Sequence, residues 1–153
     1  EICELADINR STFYSHYSDQ YDLLHKMEKE LIEDMREKLN SHHDSRNDLM
    51  QTEKILEYIA EKKDIFQILL NDNGDTGFQK KVIDVAHQFL MKDLMIDQPP
   101  HENRIEYMST FIISGSIHVI KSWLDNGMDK SQKEMAEMIY TFAMKGLSSI
   151  KSF

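Results

Sequence analysis

The chain has 153 residues, of which 41% are hydrophobic and 29% charged, with only 5 glycines and 2 prolines. This length suits one domain of ordinary size, or a large domain with a small one attached, and the composition favours helices. No segment approaches the roughly 20 apolar residues of a membrane-spanning helix, and the net charge of −9 excludes a protein that coats nucleic acid through bulk positive charge.

Two short helices are predicted at the start of the chain. The first ends near Ala6, and a turn over residues 7–9 leads into the second. Asn9 can cap the second helix by accepting a backbone N–H from Ser11 or Thr12. No acidic residue lies between Ile8 and Ser18, although the chain as a whole is acidic.

A long amphipathic helix follows, from Ser18 or Asp19 to about Asn40. Its apolar residues are spaced by three and four: Leu24, Met27, Leu31, Met35 and Leu39. The polar segment 40–48 reads as a loop. Two shorter helical pieces come next, and Asp64 is predicted to cap the second of them.

The remaining residues predict three more helices. After a turn at "NDNGDTG", a helix runs from about Phe78 and stops before Pro99, because a proline disfavours helical conformation in the preceding residue. Two long helices over 102–126 and 131–152 are separated by Gly127, which suits a left-handed position past a helix end. Since the connection is short, these two helices should be antiparallel neighbours.

The residue order near the start resembles a known motif. The matching residues are Ile2, Ala6, Thr12, Phe13, Tyr14, His16, Leu23 and Leu24, with Ile8, Asn9 and Tyr17 as close substitutes. This run is similar to the second half of the DNA-binding head of TetR-family (tetracycline-repressor-like) transcriptional regulators, a helix-turn-helix whose second helix enters the major groove. Asp7 stands where that family usually has glycine, and Gln20 where it tends to have lysine.

A looser likeness appears near the end of the chain. Gly115, Trp123, Gly127 and the pattern over 135–143 resemble the C-terminal domain of a TetR subgroup of Gram-positive bacteria. The resemblance implies an all-α protein with the later part of a DNA-binding head and a connecting helix in 1–40, and a helical regulatory and dimerisation domain in 41–153. The first helix of the family's head would precede this chain.

The resemblance also implies which residues face a double-stranded DNA operator: Asn9, Arg10, Ser11, Thr12, Tyr14 and His16. Side chains near the helix start can reach base edges, and hydroxyl or imidazole groups further along can donate to phosphate oxygens. Asn9 could equally be a plain cap, and Tyr14 and His16 ordinary surface residues. Phe13 and Tyr17 are assigned to the small core of the head.

A small-molecule effector is a further expectation, and it would be apolar or amphipathic because the middle helices offer aromatics and methionines but few convergent charges. Candidate pocket residues are Phe66, His87, Phe89, Tyr107, Phe111 and His118. The alternative for each is a satisfied core residue. His42, His43 and Asp44 lie together, but adjacent histidines in a loop do not readily share one ion, so no metal site is predicted.

The last two long helices are apolar on more of their circumference than one core contact requires. A homodimer interface is therefore predicted, with small residues allowing close backbone approach. Its candidate residues are Ser114, Gly115, His118, Met135, Ile139, Phe142, Gly146 and Ile150.

No nucleophile motif, glycine-rich phosphate loop or paired-carboxylate signature occurs in the sequence, so an enzyme with catalytic residues or a cofactor is not expected. The single cysteine, Cys3, and the absence of a leader before it favour a soluble protein of the reducing cytoplasm. The predicted function is a dimeric transcriptional regulator, with repression the commoner outcome in the family and activation open. The alternative is a helical interaction or ligand-binding module whose degenerate head does not bind DNA.

Overall fold

The computed structural model describes residues 1–40, 48–71, 76–94 and 102–150. Over these ranges the chain forms eight α-helices and no strand, which confirms the all-α prediction. The helices are α1 Ile2–Leu5, α2 Arg10–His16, α3 Gln20–Asn40, α4 Asp48–Glu61, α5 Lys63–Leu69, α6 Thr76–Leu94, α7 Glu102–Asp125 and α8 Gln132–Ile150. Along them, none combines the length and hydropathy needed to cross a membrane.

Side-chain caps define the starts of three helices. The Asn9 carboxamide oxygen accepts the Ser11 N–H at 3.0 Å and so begins α2, as predicted. At the start of α3, Asp19 Oδ1 accepts the backbone N–H groups of Tyr21 and Asp22, each at 2.9 Å. Because these donors have no partner within the helix, each cap satisfies groups that would otherwise need water.

The start of α8 is a capping box. The Glu134 N–H donates to Ser131 Oγ at 3.2 Å, and Glu134 Oε2 accepts the Ser131 N–H at 2.9 Å. The backbone N–H of Ser131, followed by its hydroxyl, lowers the pKa of the Glu134 carboxyl because both hydrogen bonds favour the ionised form. The reciprocal pair satisfies two orphan donors.

The predicted cap at Asp64 is wrong. The helix α5 begins at Lys63, with Lys62 as its N-cap and no side-chain hydrogen bond there, so Asp64 lies inside the first turn. Only Lys62 separates α4 from α5. A carboxylate in the first turn still interacts favourably with the helix dipole, which explains why an acidic residue there resembles a cap in the sequence.

The chain divides into two compact units, Glu1–Asp34 and Met35–Phe153, and the boundary lies within α3. In the first unit, Phe13, Leu31 and Ile32 are buried. In the second, α4 and α7 pack against α8, and α6 packs against α7.

An aromatic cluster lies in the core of the second unit. The ring of Phe66 lies 6.0 Å from that of Tyr58 and 6.0 Å from that of Phe78. All three side chains are buried. Such edge and tilted contacts add to the free energy gained by burying apolar area.

A tight corner joins α7 to α8. Gly127 and Met128 both have positive φ, 72° and 58°, so the left-handed conformation predicted at Gly127 is present and extends one residue further. Gly146, late in α8, lies beside Met108 and Ile112, which are early in α7. The two helices are therefore antiparallel neighbours.

Candidate functional site

The outer face of α2 carries all the residues predicted to face DNA. Asn9 caps the helix, and the other side chains predicted to face DNA are exposed: Arg10, Ser11, Thr12, Tyr14 and His16. Tyr14 is 64% exposed, so its hydroxyl is accessible to a partner. The Asn9 carboxamide oxygen accepts the Ser11 N–H, so one lone pair of that oxygen and the NH₂ group remain for other contacts.

One buried aromatic residue holds α2 in place from its other side. Phe13 is buried, and its ring lies 5.3 Å from that of Tyr14 and 5.4 Å from that of Tyr17. Tyr17 is half-buried. Phe13 is therefore a core residue, and the helix cannot rotate to exchange its polar face for its apolar one without exposing that ring.

Lys26 connects the end of α2 to α3 through its side chain, and the sequence pattern did not indicate this role. Its Nζ donates to the His16 carbonyl oxygen at 2.9 Å and to Asp22 Oδ2 at 3.2 Å, and it lies 5.0 Å from the centre of the Tyr17 ring. The Ser18 N–H and then Lys26 lower the pKa of the Asp22 carboxyl. The lysine compensates the unpaired carbonyl at a helix C-terminus.

The turn between α1 and α2 is strained at one position. Asp7 has φ 52°, in the left-handed region that side chains other than glycine avoid. This is the position where the resembling family usually has glycine. The backbone thus keeps the conformation that a glycine would adopt, with an aspartate in its place.

A cavity of about 410 Å³ lies within the second unit. Residues from α3 to α8 line it, and most of them are aliphatic or aromatic. The polar residues of the wall are Asp48, Thr52, Ser116, Tyr140 and Ser148. Its volume falls within the range of small-molecule sites, and its mostly apolar lining with a few polar groups is typical of them.

The cavity takes in only part of the predicted pocket. Phe66 and Phe89 line it, whereas His87, Tyr107, Phe111 and His118 do not. Tyr107 and Phe111 are 77% and 76% exposed. They point to solvent because they occupy the side of α7 opposite Ile105, Ile113 and Ile117, which are buried.

Several cavity-lining residues were not predicted from the sequence, although the residue pattern of α4 indicates two of them. Asp48 and Thr52 continue the apolar row of Ile55, Leu56 and Ile59 by a spacing of four and then three. Polar residues in line with an apolar helix face are buried or line a cavity. Met35 and Leu39 of α3 also line the cavity.

The predicted dimer residues separate into two groups. Gly115, His118 and Phe142 are exposed, and Ser114 is half-buried. Three others contact the interior of their own protomer: Met135 is only 3% exposed, Ile139 lines the cavity, and Gly146 packs against its own α7, where an added Cβ would lie 3.7 Å from Met108 Cε. The side chain of Ile150 lies outside the described residues.

Both α7 and α8 nevertheless keep an exposed apolar row. On α7 it contains Tyr107, Phe111 and Val119, spaced by four and eight, and on α8 it contains Met138 and Phe142, spaced by four. Residues at these spacings share one side of a helix. We call these five residues the α7–α8 rows.

Comparison with protein families decides the classification. The family model TetR_C_8, described as a transcriptional regulator C-terminal region, matches residues 47–145, which is more than half of the chain. The chain belongs to the TetR family of transcriptional regulators. No match to this regulator is found among curated proteins.

The matched region of the regulator contains the α7–α8 rows and all the cavity-lining residues except those of α3 and Ser148 near the end of α8. Across the described ranges, no group of three His, Cys, Asp or Glu side chains could hold a metal ion. His42, His43 and Asp44 lie outside those ranges.

Proposed function

We propose that this regulator is a cytoplasmic, non-enzymatic homodimer that binds a DNA operator through α2 and is controlled by an apolar or amphipathic effector in the cavity. Repression is the preferred outcome. The observation that carries the proposal is the outer face of α2, where Arg10, Ser11, Thr12 and Tyr14 are exposed on a helix without acidic residues.

The chemistry of that face suits the two tasks of a recognition helix. Arg10 and Ser11, in the first turn, can reach base edges, and the Tyr14 hydroxyl can donate to a phosphate oxygen. The chain's charge of −9 makes nonspecific attraction to DNA weak, so binding depends on this local face rather than on the overall field.

The homodimer proposal rests on the α7–α8 rows. Tyr107, Phe111 and Phe142 are each at least 70% exposed, and aromatic side chains aligned on one side of a helix are typical of an interface. Two copies that each contribute α7 and α8 would form a four-helix contact. A dimer would present two copies of α2 to half-sites roughly 34 to 36 Å apart.

Effector control would act through α3. This helix contributes Met35 and Leu39 to the cavity wall, and it begins after only three residues, 17–19, beyond the end of α2. A ligand that binds one position of α3 better than another would shift the population of head arrangements.

A second candidate is a regulator-like module whose head does not bind DNA. The observation in its favour is the start of α3, where Asp19 and Asp22 accept the backbone N–H groups of residues 18, 21 and 22. Those N–H groups are then unable to bind a phosphate, and the two carboxylates would repel one.

A gel-shift titration of the full-length protein on the DNA flanking its own gene distinguishes the two candidates. We expect a specific shift at low salt whose apparent affinity falls as salt rises, because phosphate contacts release counterions. An unrelated duplex of equal length serves as the control. The absence of any shift at low salt would favour the second candidate.

A further inference from the structure

The antiparallel packing of α7 and α8 places two hydroxyl-bearing residues of the cavity wall at the same level. Gly146 of α8 lies beside Met108 and Ile112 of α7. Tyr140 comes six residues before Gly146, and Ser116 comes six residues after the midpoint of Met108 and Ile112. Because the helices run in opposite directions, equal steps along them lead to the same level. Tyr140 and Ser116 therefore face the cavity from adjacent helices.

These two hydroxyl groups differ from two others in the wall. Thr52 Oγ1 and Ser148 Oγ each donate to a carbonyl oxygen of their own helix at 2.8 Å. Within the described ranges, neither Ser116 nor Tyr140 makes a hydrogen bond through its side chain. Since a hydroxyl has one proton, Thr52 and Ser148 can offer a ligand only their lone pairs, whereas Ser116 and Tyr140 can donate.

Hydrocarbon groups surround Ser116 and Tyr140 in the wall. The lining residues one helical turn away from them are all apolar: Ile112, Ile113, Ile120, Ala143 and Met144. Among the described lining residues none is lysine, arginine or histidine. A charged ligand group beside the two hydroxyls would exchange its hydration for two neutral partners in an apolar site, which is costly.

We infer from this arrangement that the effector carries an uncharged carbonyl group on an apolar body, and that Ser116 and Tyr140 donate hydrogen bonds to its oxygen. The inference rests on the proposed function and specifies the ligand class of the same cavity. A carbonyl oxygen has two lone pairs and can accept from both hydroxyls. An ammonium group has no lone pair to accept these protons, and a hydrocarbon would leave both hydroxyls without a partner.

The test uses three probes of similar shape on the full-length protein. They are methyl naphthyl ketone, isopropenylnaphthalene, in which a CH₂ group replaces the carbonyl oxygen, and naphthoate, in which a carboxylate replaces the acetyl group. Equilibrium dialysis measures the affinity of each. We expect the ketone to bind about tenfold or more tightly than naphthoate. Naphthoate binding as tightly as the ketone would overturn the inference.

A double variant locates the hydrogen bonds. Ser116→Ala combined with Tyr140→Phe removes both hydroxyls and keeps the aromatic ring. It should bind methyl naphthyl ketone about tenfold or more weakly, with unchanged affinity for isopropenylnaphthalene. The control is Ser122→Ala combined with Tyr21→Phe, which removes the same groups from exposed residues outside the cavity wall. It should bind both probes as the unmodified protein does.

Two results with the double variant would contradict the role of Ser116 and Tyr140, provided that circular dichroism shows a folded protein. One is unchanged affinity for the ketone. The other is an equal loss of affinity for the ketone and for isopropenylnaphthalene, because the substitutions would then have altered the shape of the cavity rather than removed hydrogen bonds.

The ligand inference and the proposed function fail in different ways. If none of the three probes binds but the protein still shifts its DNA, the inference is wrong and the DNA-binding proposal stands. If the ketone binds in a manner that depends on the two hydroxyls but no DNA is shifted, the ligand inference is supported and the regulatory proposal is contradicted.

Discussion

The indole Nε1 of Trp123 donates a hydrogen bond of 2.9 Å to the carbonyl oxygen of Lys130. The donor lies in α7, and the acceptor lies in the connection just before α8. The Met128 N–H also donates to the Trp123 carbonyl oxygen at 2.8 Å, so Trp123 closes the corner with both its side chain and its backbone. The corner sets the direction in which α8 returns along α7.

Replacing Trp123 by phenylalanine should destabilise the protein by about 1–3 kcal/mol, because the hydrogen bond to Lys130 is lost and a buried side chain becomes smaller. Urea unfolding followed by circular dichroism measures the change. Ser122→Ala, at the exposed neighbouring position, should have little effect. Equal midpoints for Trp123→Phe and the unmodified protein would contradict the structural role of the corner.

Asp7→Gly should stabilise the protein by about 0.5–1 kcal/mol, because relief of the left-handed strain exceeds the entropy that a glycine adds to the unfolded chain. Asp7→Ala removes the same charge without relieving the strain and is the control. Thermal unfolding of the three proteins should rank the glycine variant highest. A glycine variant less stable than the unmodified protein would show that Asp7 makes a stabilising contact.

Tyr14→Phe should weaken operator binding about two- to tenfold on every DNA sequence, because one hydrogen bond to phosphate is lost. Arg10→Ala should also change the sequence preference. The control is Ser15→Ala on the same helix, since the Ser15 hydroxyl already donates to the Thr12 carbonyl oxygen at 2.7 Å. Fluorescence anisotropy against a panel of operator variants measures both effects. Unchanged affinity in Tyr14→Phe would remove the proposed phosphate contact.

The double substitution Phe111→Glu and Phe142→Glu should convert the homodimer into a folded monomer that no longer binds its operator. Both side chains are at least 70% exposed, so glutamate fits the isolated protomer but would bury charge in a dimer. Ile68→Glu is the control, because Ile68 is 67% exposed on α5, a helix that contributes no residue to the α7–α8 rows. Sedimentation at micromolar concentration measures the assembly. A monomeric unmodified protein would contradict the dimer.

Glu134→Gln should lower the thermal midpoint at neutral pH, and the difference should disappear in acid. The Ser131 hydrogen bonds hold the pKa of Glu134 below its ordinary value. The stabilisation is therefore complete above the ordinary pKa that the carboxyl has in the unfolded chain, and it is lost as pH falls from there through the lower folded pKa. Glu137→Gln, an exposed change on the same helix, removes one carboxylate without touching the capping box and is the control. A difference that persists in acid would exclude the charge as its cause.

The local features of this regulator follow from its sequence because they depend on residues only a few positions apart. The Asn9 cap, the Ser131–Glu134 box and the left-handed Gly127 each require one residue type at a fixed spacing. The burial of Phe13 likewise follows from the helical period. The Asp64 cap failed because a carboxylate at the first turn of a helix and one at its cap give nearly the same pattern.

Tertiary packing alone decided which apolar helix faces meet each other. Periodicity indicated that α7 and α8 each have more than one apolar side, but not that Ile139 lines the cavity while Phe142 faces solvent. Periodicity likewise did not show that Gly146 lies against its own α7. Hydrophobic burial is not directional. The sequence therefore determines how much apolar surface each helix has to bury, but the packing of helices that are distant in the chain determines which neighbour buries it.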